Sequence, residues 1–154
     1  MTAARRSGGA LLLALALGGC ALNPWYEPPV VQTKALYFLN AENTNQNQSV
    51  AFDLVIIYEP ELVEKLLEMS ARQWFSEREQ LKRDHPSEFF TWEWEIAPGQ
   101  VIPLFPLRGT KGAQALLVFA NYASEGVHRA RLDPFEVLLI DLQERQFEIR
   151  PVLR

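Results

Sequence analysis

The sequence predicts a mainly β protein, a two-sheet β-sandwich with a short helical insertion. Seven or eight short segments rich in β-branched and aromatic residues are separated by polar turns or turns with proline and glycine, which is typical of sandwiches. In the segment 50–58, apolar residues fill one face completely and the other face except at Asp53. Only the segment 61–84 has apolar residues at helical spacing instead.

The alternation of apolar and polar residues, together with the turn residues between segments, predicts the positions of the strands. The segments 32–39 and 50–58 are expected to be the first two strands. Pro103 and Pro106 place the segment 101–107 at a sheet edge or in a bulge. Further strands are expected over 90–96, over 113–122 at the centre of a sheet, over 127–132, and in a terminal hairpin of 137–142 and 146–152.

Local signals also define the helical insertion and one turn. Apolar residues recur at helical spacing over 61–68, and Ser70 with Gln73 forms a capping-box pattern that opens a second helix. The sequence Asp-His-Pro at 84–86 ends this helix. The sequence Ala-Pro-Gly-Gln at 97–100 is typical of a type II turn.

The N-terminal segment 1–19 has the features of an export signal. Arg5 and Arg6 precede a run of Ala and Leu that is too short to span a bilayer, and Leu-Gly-Gly leads to Cys20, the only cysteine. This ending resembles the lipobox of bacterial lipoproteins, in which the cysteine carries the acyl chains. The alternative is an ordinary signal peptide followed by a free thiol.

The rest of the chain divides into two parts. The segment 20–31 contains three prolines and is expected to be a stiff, lipidated tether, and 32–154 is expected to be the β-sandwich domain with its helical insert at 61–84. Trp25 and Tyr26 in the tether could contact lipid or the domain. Hydrophobic residues make up 48% of the sequence, which suffices for one core.

The charge and cysteine content exclude several classes of protein. The formal net charge is −4, and loss of Arg5 and Arg6 with the signal brings it to −6. An acidic mature chain argues against a nucleic-acid partner, which needs clustered lysine and arginine. With one cysteine, the domain forms no internal disulfide and depends on its core.

No catalytic or metal-binding pattern is evident, and no cofactor is expected. His85 and His128 lie far apart and outside any metal-ligand motif. Glu93 and Glu95 share one strand face but alternate with tryptophans, which is typical of the solvated side of an amphipathic strand. Asp53 interrupts an apolar strand and is expected to form a structural ion pair, with Arg129 or Arg131 as candidates.

The polar loop between the first two strands is the candidate binding site. It has no apolar residues to bury, so we expect it to lie in water, and its amide side chains both donate and accept hydrogen bonds, which suits a polar protein interface. The alternative is a connector without a partner. The candidate partner-binding residues are Asn40, Glu42, Asn43, Thr44, Asn45, Gln46, Asn47, Gln48 and Ser49.

The order of these segments resembles the outer-membrane lipoproteins of the bacterial type VI secretion system, the TssJ (SciN/VasD) family. The similar features are the lipobox, Phe-Leu-Asn at 38–40 before a polar loop, and the valine-containing strand 50–58 ending at a tyrosine. A helical insert with aromatic residues, the turn at 97–100, the apolar strand 116–122 and His-Arg at 128–129 follow in the same order.

The resemblance implies a transthyretin-like β-sandwich with a structural role and no enzymatic activity. It implies an acylated anchor at Cys20 in the periplasmic leaflet of the outer membrane. The next residue is Ala21 and not the aspartate that retains lipoproteins in the inner membrane, which is consistent with sorting to the outer membrane. It implies that the loop 40–49 recruits the periplasmic part of the inner-membrane protein TssM.

Two other functional classes are compatible with the residues. A ligand-binding lipoprotein could use Trp74, Phe75, Trp92 and Trp94 to line a cleft for a glycan or a lipid. An envelope enzyme could use Glu93 and Glu95 as paired carboxylates, the weakest of the three interpretations.

Overall fold

The computed structural model describes residues 30–133 and 135–152. The predicted signal segment 1–19, the lipidation site Cys20 and most of the tether, including Trp25 and Tyr26, lie outside the described residues. The boundaries proposed for the signal and tether therefore remain predictions.

Two four-stranded sheets form a sandwich, which confirms the predicted fold class. The first sheet, sheet A, has the order β4-β1-β7-β8, with β1 and β7 parallel and the other pairs antiparallel. The second, sheet B, has the order β3-β2-β5-β6 and is fully antiparallel. The strands are β1 (Ala35–Asn40), β2 (Val50–Ile57), β3 (Phe89–Ile96), β4 (Phe105–Pro106), β5 (Ala115–Asn121), β6 (Arg129–Arg131), β7 (Val137–Leu142) and β8 (Phe147–Pro151).

Strand β2 is buried on both faces because it separates two hydrophobic clusters. Phe52 and Leu54 pack into the core between the sheets, whereas Val55 and Ile57 pack under the helices that cover the outer face of sheet B. Burial of each such side chain contributes roughly 1.5–3 kcal/mol. The apolar second face of this segment in the sequence reflects the helical cover.

The helices begin and end close to the predicted positions. The two helices of the predicted insert are α2 (Pro60–Glu68) and α3 (Ala71–Asp84). A single turn, α1 (Thr44–Asn47), precedes them between β1 and β2 and was not predicted. Ser70 and Gln73 form the predicted capping box, in which the Ser70 hydroxyl accepts a hydrogen bond from the Gln73 amide. This cap fixes the start of α3 and sets the side chain of Trp74 against sheet B, where it is fully buried.

Several predicted strands are shorter in the structure, and three of them differ most clearly. The segment 101–107 contributes only two residues, at the edge of sheet A, because prolines cannot donate to a ladder. Strand β1 begins at Ala35 and not at residue 32, although Val31 and Thr33 before it are already buried. In place of 127–132, β6 includes only three residues, because the left-handed backbone of His128 precedes it.

The chain enters the sandwich at one end, and the segment 41–49 lies at the other end. The chain enters β1 beside the start of β7 and the end of β8, where the Lys34 amide donates to the Glu136 carbonyl; we call this the proximal end. Strand β1 then runs to the opposite, distal end, and its six residues span about 17 Å. The segment 41–49 therefore lies at the end of the sandwich opposite to the end at which the chain enters β1.

Candidate functional site

Four connections meet at the distal end of the sandwich. They are the segment 41–49 between β1 and β2, the turn 97–100 after β3, the loop 122–128 between β5 and β6, and the hairpin turn 143–146 between β7 and β8. The parallel pairing of β1 with β7 places the hairpin turn beside 41–49, although about 100 residues separate them in sequence.

The segment 40–49 is a folded turn, not an open loop in water as predicted. Thr44 and Asn45 are buried, and three consecutive residues, Asn45, Gln46 and Asn47, have left-handed backbone angles with φ of 49°, 56° and 63°. Asparagine tolerates this region better than most residues, because its short polar side chain bonds locally. The expectation was wrong for Thr44 and Asn45, because polar side chains can be buried when the backbone of other segments supplies partners.

Asn45 connects the turn to two other parts of the backbone. Its side-chain Oδ1 accepts a hydrogen bond from the Ala123 amide at 2.7 Å, and its Nδ2 donates to the Ser49 carbonyl at 2.7 Å. Both the carbonyl and the amide group of the side chain are thus satisfied at a site that is only 3% exposed.

A second set of contacts joins the turn to the β7–β8 hairpin. The Thr44 hydroxyl donates to the Leu142 carbonyl at 3.0 Å, and the Gln46 amide donates to the Glu144 carbonyl at 3.0 Å. The Asn43 side chain donates to the Glu144 carboxylate at 3.1 Å. The exposed part of the turn is therefore held on both sides by neighbouring loops.

The turn 97–100 supports the start of the segment. The Asn40 side chain donates to the carbonyls of Ala97 and Gln100 at 2.8 and 3.0 Å, and the Gly99 amide donates to the Ala41 carbonyl at 3.0 Å. Gly99 has a φ of +66°, and a Cβ atom there would lie 2.6 Å from the Glu42 carboxylate. Only glycine fits this position without moving Glu42.

The remaining side chains of the segment form the exposed polar surface. Those exposed to solvent belong to Glu42, Asn43, Gln46, Asn47, Gln48 and Ser49. We call this group the distal surface. It offers amide donors and acceptors on a fixed backbone, so a partner that binds it need not order a flexible loop.

Replacing Gln46 with glycine is expected to stabilise the protein. The Gln46 side chain is exposed, and the left-handed backbone costs a non-glycine residue roughly 1–2 kcal/mol. Because glycine loses more chain entropy on folding, by roughly 0.5–1 kcal/mol, the expected gain in the free energy of unfolding is about 0.5–1 kcal/mol. Urea denaturation measures it, and a loss of stability would mean that the side chain has a structural role.

An open cleft of about 710 Å³ lies next to the distal surface. One wall is the loop 124–128 with the start of β6, and the other is the hairpin turn with Phe147 and Ile149 of β8. His128 lines it and stacks on the buried Tyr122, with ring centroids 5.0 Å apart. Burial raises the pKa of Tyr122, so its hydroxyl stays protonated.

Asp53 pairs with residues of α3, not with Arg129 or Arg131 as predicted. Its Oδ2 accepts hydrogen bonds from Trp74 Nε1 at 2.8 Å and from Arg78 Nη1 at 2.7 Å. The Arg129 guanidinium instead donates to the carbonyls of Leu67 and Met69, and Arg131 pairs with Asp133. The correction follows from the helices, which cover the outer face of sheet B and bring Arg78 above Asp53.

Burial raises the pKa of the Asp53 carboxyl, whereas its hydrogen bonds to Arg78 and Trp74 lower it. Its Oδ1 has no hydrogen-bond partner among the described residues. Glu93 is exposed as predicted, and it also contacts α3 through Lys82 at 2.6 Å. The carboxylates of Asp53 and Glu93 thus attach the helical insert to sheet B, so both have a structural role.

The aromatic residues considered for a ligand cleft lie on opposite faces of sheet B. Trp92 and Trp94 pack against Phe105 in the core between the sheets, with ring centroids 5.3 and 5.0 Å apart. Trp74 lies under the helices and stacks on Phe119 at 4.8 Å. The four aromatic residues therefore do not line one cleft.

Two further features of the described residues concern metals and membranes. No group of three or more His, Cys, Asp or Glu side chains in the described part of the chain is arranged to hold a metal ion. His85 at the end of α3 contacts Glu88 at 2.6 Å and belongs to no such group. Within residues 30–133 and 135–152, no helix has the length and hydropathy needed to cross a membrane.

Two solved structures share this architecture. Serratia marcescens Lip, a membrane bound component of the type VI secretion system, aligns with a TM-score of 0.58 and 12% identity, over 77% of this chain and 96% of its own. TssJ1 from Pseudomonas aeruginosa, a lipoprotein of the same kind of system, aligns with a TM-score of 0.57 and 17% identity, over 82% of this chain and 100% of its own. The chain has the TssJ fold.

The resemblance inferred from the sequence is thus confirmed for the fold, a two-sheet β-sandwich. No protein-family profile and no curated protein sequence matches the chain. The likeness to TssJ proteins therefore lies in the order and packing of the elements more than in their residues.

Sequence reasoning missed two parts of the site. The candidate list omitted Glu144 and Ala123, which hold the turn, because their proximity depends on the parallel β1–β7 pair and on the β2–β5 pair. It also missed the cleft, because its walls come from edge strands of different sheets. A local signal did exist for Asn45, since asparagine is enriched at left-handed positions.

Proposed function

We propose that this chain is a lipoprotein of a type VI secretion system with a structural, non-catalytic role. Acyl chains on Cys20 anchor it in the periplasmic leaflet of the outer membrane, and the distal surface docks the periplasmic domain of an inner-membrane, TssM-like protein. The observation that carries this proposal is the position of the distal surface at the end of the sandwich opposite to the chain entry.

This geometry favours a bridging function. Cys20 precedes the first described residue, Val30, by ten positions, and the chain enters the sandwich at the proximal end. A protein held to a membrane at that end presents its distal end away from the lipid. The fold shared with two secretion-system lipoproteins supports the same role.

The docking test uses two exposed residues of the distal surface. We expect the double substitution Gln46→Arg and Gln48→Arg to weaken binding of the TssM-like periplasmic domain at least about tenfold, because two unpaired charges would be desolvated at the interface. Both side chains are exposed, so the fold should be retained. Pull-down from detergent-solubilised envelopes, followed by titration with the purified domain, measures the effect.

A matched control places the same change at the proximal end. Gln32→Arg with Ser87→Arg also adds two positive charges at exposed positions. Gln32 precedes β1 and Ser87 precedes β3, and both strands begin at the proximal end. This variant should bind as the unmodified protein does. Equal binding by the distal variant, the control and the unmodified protein would refute docking at the distal surface. Deletion of the segment is a poorer test, since it removes Asn45 and its contacts.

A further inference from the structure

Strand β8 is an edge strand with unpaired backbone groups. In the β7–β8 hairpin, the Gln143 amide donates to the Gln146 carbonyl and the Val152 amide donates to the Val137 carbonyl. Hydrogen-bonded pairs alternate with non-bonded pairs in an antiparallel ladder. The register therefore places Glu148 and Arg150 in bonded pairs, and it turns the N–H and C=O groups of Phe147 and Ile149 away from β7.

These free groups lie along the cleft. Phe147 and Ile149 both line it, and no strand of the described part of the chain pairs with this edge. Together they present two N–H donors and two C=O acceptors at the spacing of a β-strand. Pro151 lacks an N–H group and ends the pairing surface toward the proximal end.

Each of the other edge strands has a feature that hinders pairing. Strand β4 has only two residues, one of them proline, and β6 has only three residues. Strand β3 carries Glu95, an exposed carboxylate, and charged side chains typically protect edges. On β8, by contrast, Arg150 turns back to bind Asp141 of β7 at 2.7 Å and its neighbour Glu148 at 2.9 Å.

The cleft is continuous with the distal surface. Glu144 in the hairpin turn lines the cleft, and it also accepts hydrogen bonds from Asn43 and from the Gln46 amide. A protein bound to the distal surface thus meets the mouth of the cleft. An extended segment of that protein could continue along β8 without leaving the surface of the sandwich.

We propose that an extended segment of the docked partner protein pairs with β8 and becomes the fifth strand of sheet A. This inference rests on the proposed docking function, and it specifies that the partner contributes a β-strand at this site. Main-chain hydrogen bonds to Phe147 and Ile149 supply the pairing, and the cleft between β6 and β8 receives the side chains of the added strand.

Amide hydrogen exchange of the mature protein, followed residue by residue by NMR with and without the purified TssM-like periplasmic domain, tests the pairing. We expect the exchange of the Phe147 and Ile149 amides to slow at least about tenfold on binding, because their free N–H groups become bonded. The amides of Glu148 and Arg150 are already paired in the ladder and should change less. This alternation distinguishes strand pairing from general burial.

Two variants at one position provide a second test. Ile149→Pro removes the free N–H group, which no ladder bond uses, whereas Ile149→Ala removes the side chain and keeps the donor. Binding weakened at least about tenfold in the proline variant beyond the alanine variant supports pairing. If the proline variant does not fold, the exchange measurement on the unmodified protein still decides.

Three results would overturn the inference. A complex that forms without protection of Phe147 and Ile149 would refute strand pairing and leave docking at the distal surface intact. Protection without the partner that grows with protein concentration would assign the edge to a second copy of this chain. Absence of any complex would refute the docking function, and the pairing with it.

Discussion

Replacing Arg78 with methionine is expected to lower the free energy of unfolding by about 3 kcal/mol at neutral pH, because removal of one partner of a buried ion pair leaves a buried charge uncompensated. The Asp53 side chain is only 1% exposed and would retain a single hydrogen bond, from Trp74. Methionine keeps an unbranched apolar stem but removes the guanidinium, which lies 5.0 Å from the centroid of the Phe75 ring. Urea denaturation at pH 7 measures the loss.

The pH dependence of this loss separates the buried charge from lost packing. Burial already raises the pKa of Asp53 above its value in the unfolded chain, and loss of Arg78 raises it further. A raised native pKa means that the folded state binds the proton more tightly, so stability is regained as the pH falls through that pKa. The deficit of the Arg78→Met variant should therefore shrink between pH 7 and pH 5.

A double variant serves as the control for this interpretation. With Asp53→Asn added to Arg78→Met, no buried carboxylate remains, so the double variant should be more stable than the single one at pH 7. The difference between the two should decline as the pH falls. A constant difference across this range would mean that the charge of Asp53 does not cause the loss.

Replacing Asn45 with alanine is the second change expected to have a large effect, a loss of about 3 kcal/mol. It removes the hydrogen bonds that the buried Asn45 side chain makes with the Ala123 amide and the Ser49 carbonyl, each of which contributes roughly 0.5–1.5 kcal/mol. It also places alanine at a φ of 49°, where alanine is less well tolerated than asparagine, whose short polar side chain bonds locally. Thermal and urea unfolding measure the effect, and binding to the distal surface should fall with it.

Asn47 offers a matched control two residues away. It has the same residue type and a similar left-handed backbone, with a φ of 63°, but its side chain is exposed. Asn47→Ala should lower stability by about 1 kcal/mol or less, which represents the backbone strain alone. Similar losses in both variants would show that the hydrogen bonds of Asn45 contribute little.

The sequence predicted those parts of the fold that depend on local patterns. The alternation in β2, the capping box of Ser70 and Gln73, the turn at Gly99 and the β7–β8 hairpin all lie where expected. Each depends on residues close in sequence, so propensity, periodicity and turn chemistry suffice to identify it.

The errors concern contacts between distant segments. The partner of Asp53 was assigned to another strand, although Arg78 follows Trp74 by four residues and thus shares its helix face. The sequence predicts a solvated segment 40–49, since the groups that bond to the buried Thr44 and Asn45 belong to β7 and the β5–β6 loop, which are distant in sequence. Sheet order determines these contacts, and no local pattern encodes it.

In the proposed role, the path of β1 has a mechanical consequence. Tension between the acyl anchor and a partner on the distal surface would act along β1, which runs between the two ends and lies between β4 and β7. Six residues of β1 pair in parallel with β7. Where the partner also holds the hairpin turn 143–146 after β7, a pull along β1 loads these hydrogen bonds in shear, so they resist together and do not open one after another. The domain is therefore suited to transmit force across the periplasm without unravelling.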